Sequence, residues 1–564
     1  DEIANAMREA ENTLGKIDAQ AGDGDHGMGM ARGSAAAAEA AAKAVAAGAG
    51  LASTLATAGD AWADRAGGTS GALWGLTLRT WSTAFSDQQA LDAAGVHQPL
   101  AALRLAVSSG AQAVYFATPD TDGRMAGRRP QSVPPILIDA RTGQRLDSQP
   151  FDARHALASA AAWAAEEAAA ESTQAPPAAV SYLGLVEEDA HTHSAALDMH
   201  RPLHHVQLHD AAGTQLYVSS RTGEVVRDAT RSERGWNYLG SWLHWLYMFR
   251  GGAWDAWWAL IIDTLAALGC VAVLTGAAVG IWRWRFGQPY RTGRRTPFPQ
   301  PMMRWHHVSG MLFALAACAW VFSGLMSMNP LGVFSSQAEP LQVKALQGGP
   351  LLPAGEWAAP QALLAAASSA DSGAAPIREL RWQPALGRTL ALAFDSQRPG
   401  APRVLDARTA APLNLPASEV QQAAARLLPA PVAQAQMLTA YDFYYYPRAD
   451  HTMTGGHANR PLPVLRLVFD DEHASWVYVD PRTAQVLERT DRARRASRWL
   501  FTLLHSWDWL PLLERRPLWD AFMLALSLGG AVLSLTGVVI GAHRLALKAR
   551  QARVLNRRAR RAGS

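Results

Sequence analysis

Cysteine is scarce in this chain, which has only two cysteines among 564 residues. Both of them, Cys270 and Cys318, lie inside long apolar runs, and no Cys-x-x-Cys-His motif occurs. These absences exclude a disulfide framework, a zinc site built on cysteines and covalently attached haem. A chain that is disordered throughout is also excluded, because the 21 Trp, 11 Tyr and 14 Phe residues supply ample core material.

Charge is nearly absent from three apolar stretches that are long enough to cross a bilayer, for which about 20 residues suffice. Residues 257–282 contain a single charged residue, Asp263, whereas residues 305–328 and 521–542 contain none. A buried helix of a soluble domain is the alternative for any one such run. Trp-rich ends and flanking charge favour the membrane instead. The predicted membrane helices cover 256–283, 304–328 and 519–543.

Acidic residues are missing from the two basic segments beside these helices. Six Arg residues lie in 283–304, and seven Arg with one Lys lie in 544–564. Positively charged loops stay in the cytoplasm, so the loop 284–303 and the tail 544–564 are predicted to lie inside. The predicted location is therefore a bacterial inner membrane, crossed several times, with membrane lipid as a partner and a cytoplasmic C-terminus. The tail could suggest nucleic-acid binding, but its place beside a membrane helix explains its charge, so no nucleic-acid partner is predicted.

An internal repeat relates the two halves of the chain. A shift of 261 residues superposes residues 216–225 (LYVSSRTGEV) on 477–486 (VYVDPRTAQV) without a gap, and the same shift superposes His244 on His505. An uninterrupted match of this length argues against chance. Each half is thus expected to carry a histidine immediately before a membrane helix.

Turn motifs define the outer part of each half. Residues 138–143 (IDARTG) and 405–410 (LDARTA) follow alternating apolar residues, which predicts strand–turn–strand units. Alanine-rich stretches at 156–170 and 420–428 predict helices packed on those strands. The regions 96–250 and 329–518 are therefore expected to form extracytoplasmic α+β modules.

This layout resembles the PepSY-associated transmembrane family over about residues 96–550. That resemblance implies an iron-regulated inner-membrane protein related to siderophore-iron reductases. The family usually has four membrane helices, whereas this sequence predicts three. The motifs that carry the resemblance are the Asp-x-Arg-Thr turns, Arg201-Pro202-Leu203, Arg460-Pro461-Leu462-Pro463 and Trp305-His306-His307.

An acidic, glycine-spaced segment occurs near the start of the chain. Asp18, Asp23 and Asp25 can direct three carboxylates at one point, because the intervening glycines permit tight turns. Such hard oxygen ligands suit Mg²⁺. Downstream, residues 66–71 (AGGTSG) offer free backbone N–H groups, an arrangement that binds phosphate. A solvated turn is the alternative for either segment taken alone.

Together the two segments resemble the ATP-binding (DhaL-type) domain of dihydroxyacetone kinase. The resemblance implies an all-α barrel over 1–95, with ATP and Mg²⁺ as cofactors and Asp18, Asp23 and Asp25 as metal ligands. The family's later nucleotide-closing loop and its substrate-binding domain are missing from the sequence. We therefore expect a truncated fragment, inactive alone, joined near 90–98 to a reductase-like chain as a chimera. The residues assigned to the nucleotide phosphates are His26, Gly67, Gly68, Thr69, Ser70 and Gly71.

Histidines near the membrane faces are candidate haem ligands, because two histidines at one depth can supply both axial ligands of a haem b. His244 and His505 form the predicted outer pair, and His307 and His543 the predicted cytoplasmic pair. The family resemblance implies haem-linked reduction of a ferric-siderophore partner by a cytoplasmic donor of unknown identity. For a single interfacial histidine, a structural role is the alternative.

A second group of histidines is concentrated in residues 191–209. Alternate strand positions could bring some of them together as a metal-capturing strip. The alternative, which we favour, is that they are ordinary strand and loop residues. The group comprises His191, His193, His200, His204, His205 and His209.

The sequence therefore predicts a mixed membrane protein. Its parts are three transmembrane helices, α+β PepSY-like modules in a two-fold repeat, and an all-α kinase fragment. Haem-linked electron transfer to ferric siderophores is the leading functional hypothesis. Kinase action on dihydroxyacetone (glycerone) in glycerol metabolism is the second hypothesis, and a non-enzymatic module that binds or inhibits an outer partner is the third.

Overall fold

The fold was analysed in a computed structural model of the chain. The chain forms two compact units. The first comprises Asp1–Leu239, Leu341–Leu427 and Val479–Gln485, and the second comprises Gly240–Pro340, Leu428–Tyr478 and Val486–Ser564. The structure describes residues 2–18, 26–47, 49, 51–66, 76, 78–79, 100–108, 112–119, 135–146, 150–170, 177–250, 253–351, 357–369, 377–395, 400–448 and 459–562.

Helices of six or more residues are numbered in chain order. They are α1 (Glu2–Asp18), α2 (His26–Ala46), α3 (Leu51–Ala66), α4 (Ala153–Ala170), α5 (Arg231–Asn237), α6 (Trp258–Arg283), α7 (Pro301–Ser327), α8 (Pro360–Ser369), α9 (Ala417–Ala424), α10 (Arg492–Ser497) and α11 (Arg516–Ala562).

The strands form antiparallel sheets. They are β1 (Leu100–Ser108), β2 (Gln112–Pro119), β3 (Ile136–Asp139), β4 (Val180–Val186), β5 (Leu203–Leu208), β6 (Gln215–Ser219), β7 (Val225–Ala229), β8 (Ile377–Ala385), β9 (Arg388–Asp395), β10 (Arg403–Asp406), β11 (Val432–Leu438), β12 (Val464–Phe469), β13 (Trp476–Val479) and β14 (Val486–Thr490).

Helices α1 to α3 pack around a small apolar core that includes Met30, Ala58 and Trp62. The described residues between 2 and 66 agree with the helical character that the sequence predicts for this region. The rest of the predicted all-α domain, including 67–75 and 80–99, lies outside the described residues. An all-α barrel over 1–95 therefore stays a prediction.

A six-stranded sheet combines strands from both halves of the chain in the order β10-β9-β8-β1-β2-β3. Its centre is the antiparallel pairing of β1 with β8, in which Arg104 faces Arg381. Three strands of the first half and three of the second extend from this pair in mirrored order, as a two-fold repeat requires. The buried core on this sheet includes Leu103, Tyr115 and Trp382.

Two four-stranded sheets repeat one topology, β4-β5-β6-β7 and β11-β12-β13-β14. Strand β5 begins at Leu203 and β12 begins at Val464, which are 261 positions apart, as are the first residues of β6 and β13 and of β7 and β14. The last three strands of each sheet therefore recur at the predicted 261-residue spacing, whereas the first strands, β4 and β11, begin 252 positions apart. Helix α4 packs Ala156 and Ala160 against its sheet, as the alanine-rich stretch predicts.

Asp-x-Arg-Thr segments form the predicted turns. The Asp139 carboxylate accepts backbone N–H bonds from Arg141 and Thr142, both at 2.8 Å. Asp406 accepts the equivalent bonds from Arg408 and Thr409 at 2.9 and 3.0 Å. An aspartate that bonds its own backbone two residues onward favours a tight turn, which explains why the motif ends each strand.

Among the described residues, three helices are long and apolar enough to cross a membrane: Asp255–Arg283, Pro301–Ser327 and Arg516–Arg553. They match the predicted spans to within a few residues at most ends. The third differs, because helix α11 continues to Ala562 through the segment predicted as a tail. Ala, Arg, Leu and Lys dominate that segment and all have high helix propensity, so no signal stops the helix at residue 543.

Candidate functional site

The ends of α1, α2 and α3 converge at one end of the N-terminal helical unit. A β-carbon built at Gly29, in the first turn of α2, would lie 2.8 Å from the backbone oxygen of Ala66, the last residue of α3. Leu14, one turn before Asp18, packs in the same cluster as Met30. The segments that follow Asp18, precede His26 and follow Ala66 therefore start or finish at this shared end.

The contact between α2 and α3 needs glycine, because a side chain has no space there. A β-carbon at Gly33 would lie 2.6 Å from the β-carbon of Ala66 and 2.7 Å from the Trp62 ring. The sequence analysis missed Gly29 and Gly33, although their spacing of four residues on one helix face is a signal for close helix packing. Larger residues here would separate α2 from α3.

The predicted magnesium and phosphate residues are only partly described. Asp18 is the last residue of α1, and His26 is the first residue of α2 and is half-buried. Asp23, Asp25 and the predicted phosphate-binding residues Gly67, Gly68, Thr69, Ser70 and Gly71 lie outside the described residues. No group of three or more His, Cys, Asp or Glu suited to a metal occurs within the described ranges.

His244 and His505 lie beside each other in the second unit, as the repeat predicts. Their ring centroids are 5.9 Å apart with an interplanar angle of 59°. Both line a cavity of about 990 Å³ whose walls include Trp245, Trp320 and Leu265. The predicted outer pair is therefore brought together at a large, mostly apolar cavity.

Hydrogen bonds fix the tautomer of His505. Its Nδ1 lies 3.0 Å from the hydroxyl oxygen of Ser323, and that hydroxyl donates its proton to the Trp320 carbonyl at 3.1 Å. The hydroxyl oxygen therefore accepts from Nδ1–H, which leaves the lone pair on Nε2. Metal-bound histidines are typically held in this way through the nitrogen that faces away from the metal.

Burial disfavours the charged form of both imidazoles. It lowers the pKa of His244 and of His505, and for His505 the neighbouring His244 adds to the effect. Imidazole–metal bonds are about 2.0 Å in zinc sites, so two imidazoles on opposite sides of one metal have ring centres roughly 6 Å apart. The observed separation and the cavity volume therefore fit a pair of axial haem ligands.

The other two predicted haem ligands are placed differently. His307 Nδ1 lies 2.8 Å from the Thr296 hydroxyl, and its Nε2 lies 2.8 Å from the Gly280 carbonyl oxygen, so both ring nitrogens are engaged within the protein. His543 is exposed on α11. The structure does not bring these two histidines together as it does the outer pair.

A buried ionic cluster beside the histidine pair was not predicted. The Asp508 carboxylate, 4% exposed, accepts hydrogen bonds from Tyr446 and from Arg498, the latter at 2.8 Å. Arg448 forms a further ion pair with Asp508. Asp508 follows His505 by three residues, so the cluster anchors the segment that carries this histidine. Its members are distant in sequence, and no local motif signals it.

The six histidines between 191 and 209 are dispersed among structural partners. His204, for example, is buried, with Nδ1 at 2.9 Å from the Tyr182 hydroxyl and Nε2 at 2.8 Å from the Phe151 carbonyl. His205 stacks on Tyr217 at a centroid distance of 4.7 Å. The favoured reading as ordinary strand and loop residues agrees with these contacts. The remaining contacts are His191 with Asn237, His193 with Glu188, His200 with Ser219 and His209 with Ser181.

Comparison with known proteins assigns the N-terminal region. Residues 20–115 match the DAK2 domain family. The DAK2 match covers Asp23, Asp25 and the glycine-rich segment but begins after Asp18, and it ends inside strand β2. The comparisons give no support to the predicted resemblance of the rest of the chain to PepSY-associated reductases. No solved structure matches the chain.

Curated relatives of the DAK2 region are sugar kinases. An L-erythrulose 1-kinase of Mycolicibacterium smegmatis is 41% identical over 160 residues, which cover 26% of this chain and 27% of that protein. A D-erythrulose kinase of the same organism is 52% identical over 107 residues, 18% of each chain. An L-erythrulose kinase of Pectobacterium atrosepticum is 53% identical over 79 residues, which cover 14% of this chain and 13% of that protein. The chain thus spans about a quarter or less of the length of these relatives.

Proposed function

We propose that the N-terminal region is the nucleotide-binding part of an ATP-dependent kinase that phosphorylates a small ketose. The observation that carries the proposal is the convergence of the α1, α2 and α3 termini through Gly29 and Ala66. The acidic segment connects Asp18, at the end of α1, to His26, at the start of α2, and the glycine-rich segment begins after Ala66, at the end of α3. The DAK2 match over the same residues supports the assignment.

Phosphoryl transfer needs positioning and charge stabilisation more than covalent chemistry from the protein. In the proposal, Asp18, Asp23 and Asp25 hold Mg²⁺, which neutralises charge on the nucleotide phosphates when it is bound. Backbone N–H groups of 67–71, together with His26, contact the phosphates and orient the γ-phosphoryl group. The ketose hydroxyl oxygen then attacks the γ-phosphorus in line, the bond from that phosphorus to ADP breaks, ADP leaves, and the hydroxyl proton is released to water.

The proposed substrate class is a three- or four-carbon ketose, namely dihydroxyacetone or erythrulose. Erythrulose comes from the names of the relatives, and dihydroxyacetone from the resemblance of the two motifs. The ketose-binding residues of the proposal come from a separate substrate-binding subunit. The assay therefore has to include such a subunit.

ATP consumption, coupled to NADH oxidation, tests the kinase proposal with the full chain, Mg²⁺, a dihydroxyacetone kinase substrate-binding subunit and each ketose in turn. Ketose-dependent turnover is expected, and Asp25→Asn should reduce it at least about 100-fold, because metal charge stabilisation is worth several kcal/mol. Glu39→Gln is the matched control, since Glu39 is exposed and pairs only locally with Lys43. Turnover that is unaffected by Asp25→Asn, or absent with every ketose, contradicts the proposal.

The histidine pair favours a second function for the membrane region, haem-linked electron transfer. Haem b would supply one-electron redox chemistry when bound. His505, whose Nδ1 is held by Ser323, and His244 would hold the haem iron through ring nitrogens, and Trp245 and Trp320 would line its pocket. A ferric siderophore as electron acceptor, a cytoplasmic donor and an inner-membrane location stay part of this proposal. A non-enzymatic binding module is the outcome if no haem is present.

Optical spectroscopy tests the second function on full-length protein purified in detergent from haem-replete cells. A Soret band that sharpens on reduction is expected, and His244→Ala and His505→Ala should each remove or shift it. His155→Ala is the control, because His155 is exposed and lies in the first unit. A spectrum without haem, or one that neither ligand variant alters, excludes this function.

A further inference from the structure

A second cavity, of about 480 Å³, lies among the three apolar helices and is separate from the His244–His505 cavity. Glycines and apolar side chains of α6, α7 and α11 form most of its lining. His306 and His307 add ring nitrogens, and Arg544 adds a guanidinium group. Its volume falls within the range of about 300–1,000 Å³ that is usual for small-molecule sites. No function considered above uses it.

One ring nitrogen of His306 is committed to the protein. Its Nδ1 lies 3.0 Å from the hydroxyl oxygen of Thr536. That hydroxyl donates its own proton to the carbonyls of Val532 and Leu533, at 2.8 and 3.0 Å. The Thr536 oxygen therefore accepts from Nδ1–H, and in this tautomer the lone pair of the ring is on Nε2. His306 thus presents a hydrogen-bond acceptor in an otherwise apolar cavity.

The neighbouring His307 has a different role. Both of its nitrogens bond to protein groups, Thr296 and the Gly280 carbonyl, so His307 forms a wall of the cavity. Arg544 lines the same cavity and carries only hydrogen-bond donors. The cavity therefore combines one imidazole acceptor with one guanidinium donor among three strongly apolar helices.

We propose that this cavity binds the ring of a lipid-soluble hydroquinone. One ring hydroxyl donates to Nε2 of His306, and the opposite ring oxygen accepts from Arg544. The three apolar helices around the cavity favour a lipid-soluble ligand, and a ligand that matches both polar groups supplies a donor and an acceptor. A lipid acyl chain supplies neither, whereas a hydroquinone ring supplies both.

Glycine keeps part of the cavity open. A β-carbon at Gly276, which lines the cavity, would meet no atom within 4 Å. Gly276→Leu therefore fills ligand space without a clash at its β-carbon, and leucine has a higher helix propensity than glycine. This variant separates loss of the site from loss of the fold.

Binding of reduced decylubiquinone to full-length protein in lipid nanodiscs tests the proposal through equilibrium dialysis. One saturable site is expected, and both His306→Leu and Gly276→Leu should weaken binding at least about tenfold, which is the loss of one good polar contact. His155→Ala is the control and should bind as the wild type does, because His155 is exposed and lies in the first unit. Thermal unfolding of each variant checks that the fold is retained.

Three results overturn the proposal. The first is unchanged affinity in Gly276→Leu, which places the ligand elsewhere. The second is equal affinity for 1-decanol, which marks a simple acyl-chain slot. The third is a Soret band that disappears in His306→Leu, because His306 would then be a haem ligand. Each result is independent of kinase activity and of the spectrum of the His244 and His505 variants.

Discussion

Two glycines of helix α11 differ sharply in what surrounds them. A β-carbon at Gly529 would lie 2.4 Å from the ring of Phe313 on α7, whereas one at Gly541 would meet nothing within 4 Å. Gly529→Ala should lower stability by about 1–3 kcal/mol through overpacking, since the Phe313 ring has to move. Gly541→Ala should be neutral or stabilising by up to about 1 kcal/mol, because alanine favours the helix.

Thermal unfolding in detergent, followed by circular dichroism, measures both glycine variants on one scale. The two substitutions are chemically identical and lie in the same helix, so the comparison isolates the contact with Phe313. Equal melting temperatures for the two variants would mean that α7 and α11 are not packed through Gly529.

A half-buried carboxylate, Asp189, predicts pH dependence in the first unit. Burial raises the pKa of Asp189, but hydrogen bonds from Tyr217, His191 and Thr192 outweigh burial and hold this pKa below its usual value. A lowered pKa means that the stabilisation is present above about pH 4 and is lost as the pH falls through the pKa of the folded state.

Tyr217→Phe tests this carboxylate, because it removes the hydroxyl that donates to Asp189 at 2.7 Å. The variant should be less stable by about 1–3 kcal/mol at pH 7, the usual cost of a lost buried bond to a charged group. The difference from the wild type should narrow as the pH falls below about 4, because Asp189 is protonated first in the unfolded chain and then, at lower pH, in the folded state. Urea unfolding at pH 7 and pH 3 measures it, and a difference independent of pH would refute the assignment.

The different environments of His306 and His307 could not be predicted from the sequence. His306 and His307 are adjacent and chemically identical in sequence, yet one faces a cavity with a free acceptor and the other is wholly engaged. The distinction depends on Thr536, which is 230 positions away, and on the Gly280 carbonyl. The Asp508 cluster was missed for the same reason, since its partners come from distant segments.

For the strands, in contrast to these side chains, the local sequence predicted where they lie but not how they all pair. The 261-residue shift predicted the equivalence of β5 to β7 with β12 to β14, because local alternation and turn motifs repeat in both halves. The six-stranded sheet was not predicted, since alternation reveals where strands are but not which strands pair. Only the pairing of β1 with β8 reveals that the halves share one sheet.

A core substitution tests whether the two halves of the chain share the six-stranded sheet. Trp382 is 1% exposed in β8, and its ring lies 6.3 Å from Tyr115 in β2 and 6.2 Å from Trp357. Trp382→Ala should cost about 3–5 kcal/mol. Because the strands form one sheet, amide protection should fall in β1 and β2 of the first half as well as in β8.

Hydrogen exchange with mass spectrometry resolves these strands. Trp236→Ala is the control, because Trp236 is 73% exposed in the short helix α5. Loss of protection confined to β8 to β10 would show that the two halves form separate sheets.

For the whole molecule, the open question is sidedness, that is, which side of the membrane each region faces. The basic segments 283–304 and 544–564 predict that both lie in the cytoplasm, and an odd number of spans then places the N-terminal region outside. A C-terminal fluorescent fusion should therefore be bright, and a cysteine introduced at exposed Glu39 should react with an impermeant thiol reagent on intact spheroplasts. Reaction of that cysteine only after lysis would place the N-terminal helices in the cytoplasm.

Sidedness bears directly on the kinase proposal, because ATP is a cytoplasmic substrate. An outer location leaves the N-terminal region without its nucleotide, as expected for a chain in which a kinase segment has been joined to an unrelated membrane protein. An inner location makes an ATP-dependent reaction available to the whole chain. Nucleotide binding by the purified protein is independent of this question.

Equilibrium binding of ATP to the full-length protein, with and without Mg²⁺, is the most direct test of the nucleotide site at the converging ends of α1, α2 and α3. The account predicts a single site that requires Mg²⁺, is abolished by combined Asp18→Asn, Asp23→Asn and Asp25→Asn substitution, and is retained in Glu39→Gln. Binding that ignores Mg²⁺ or survives the triple substitution, or no binding at all, would contradict it.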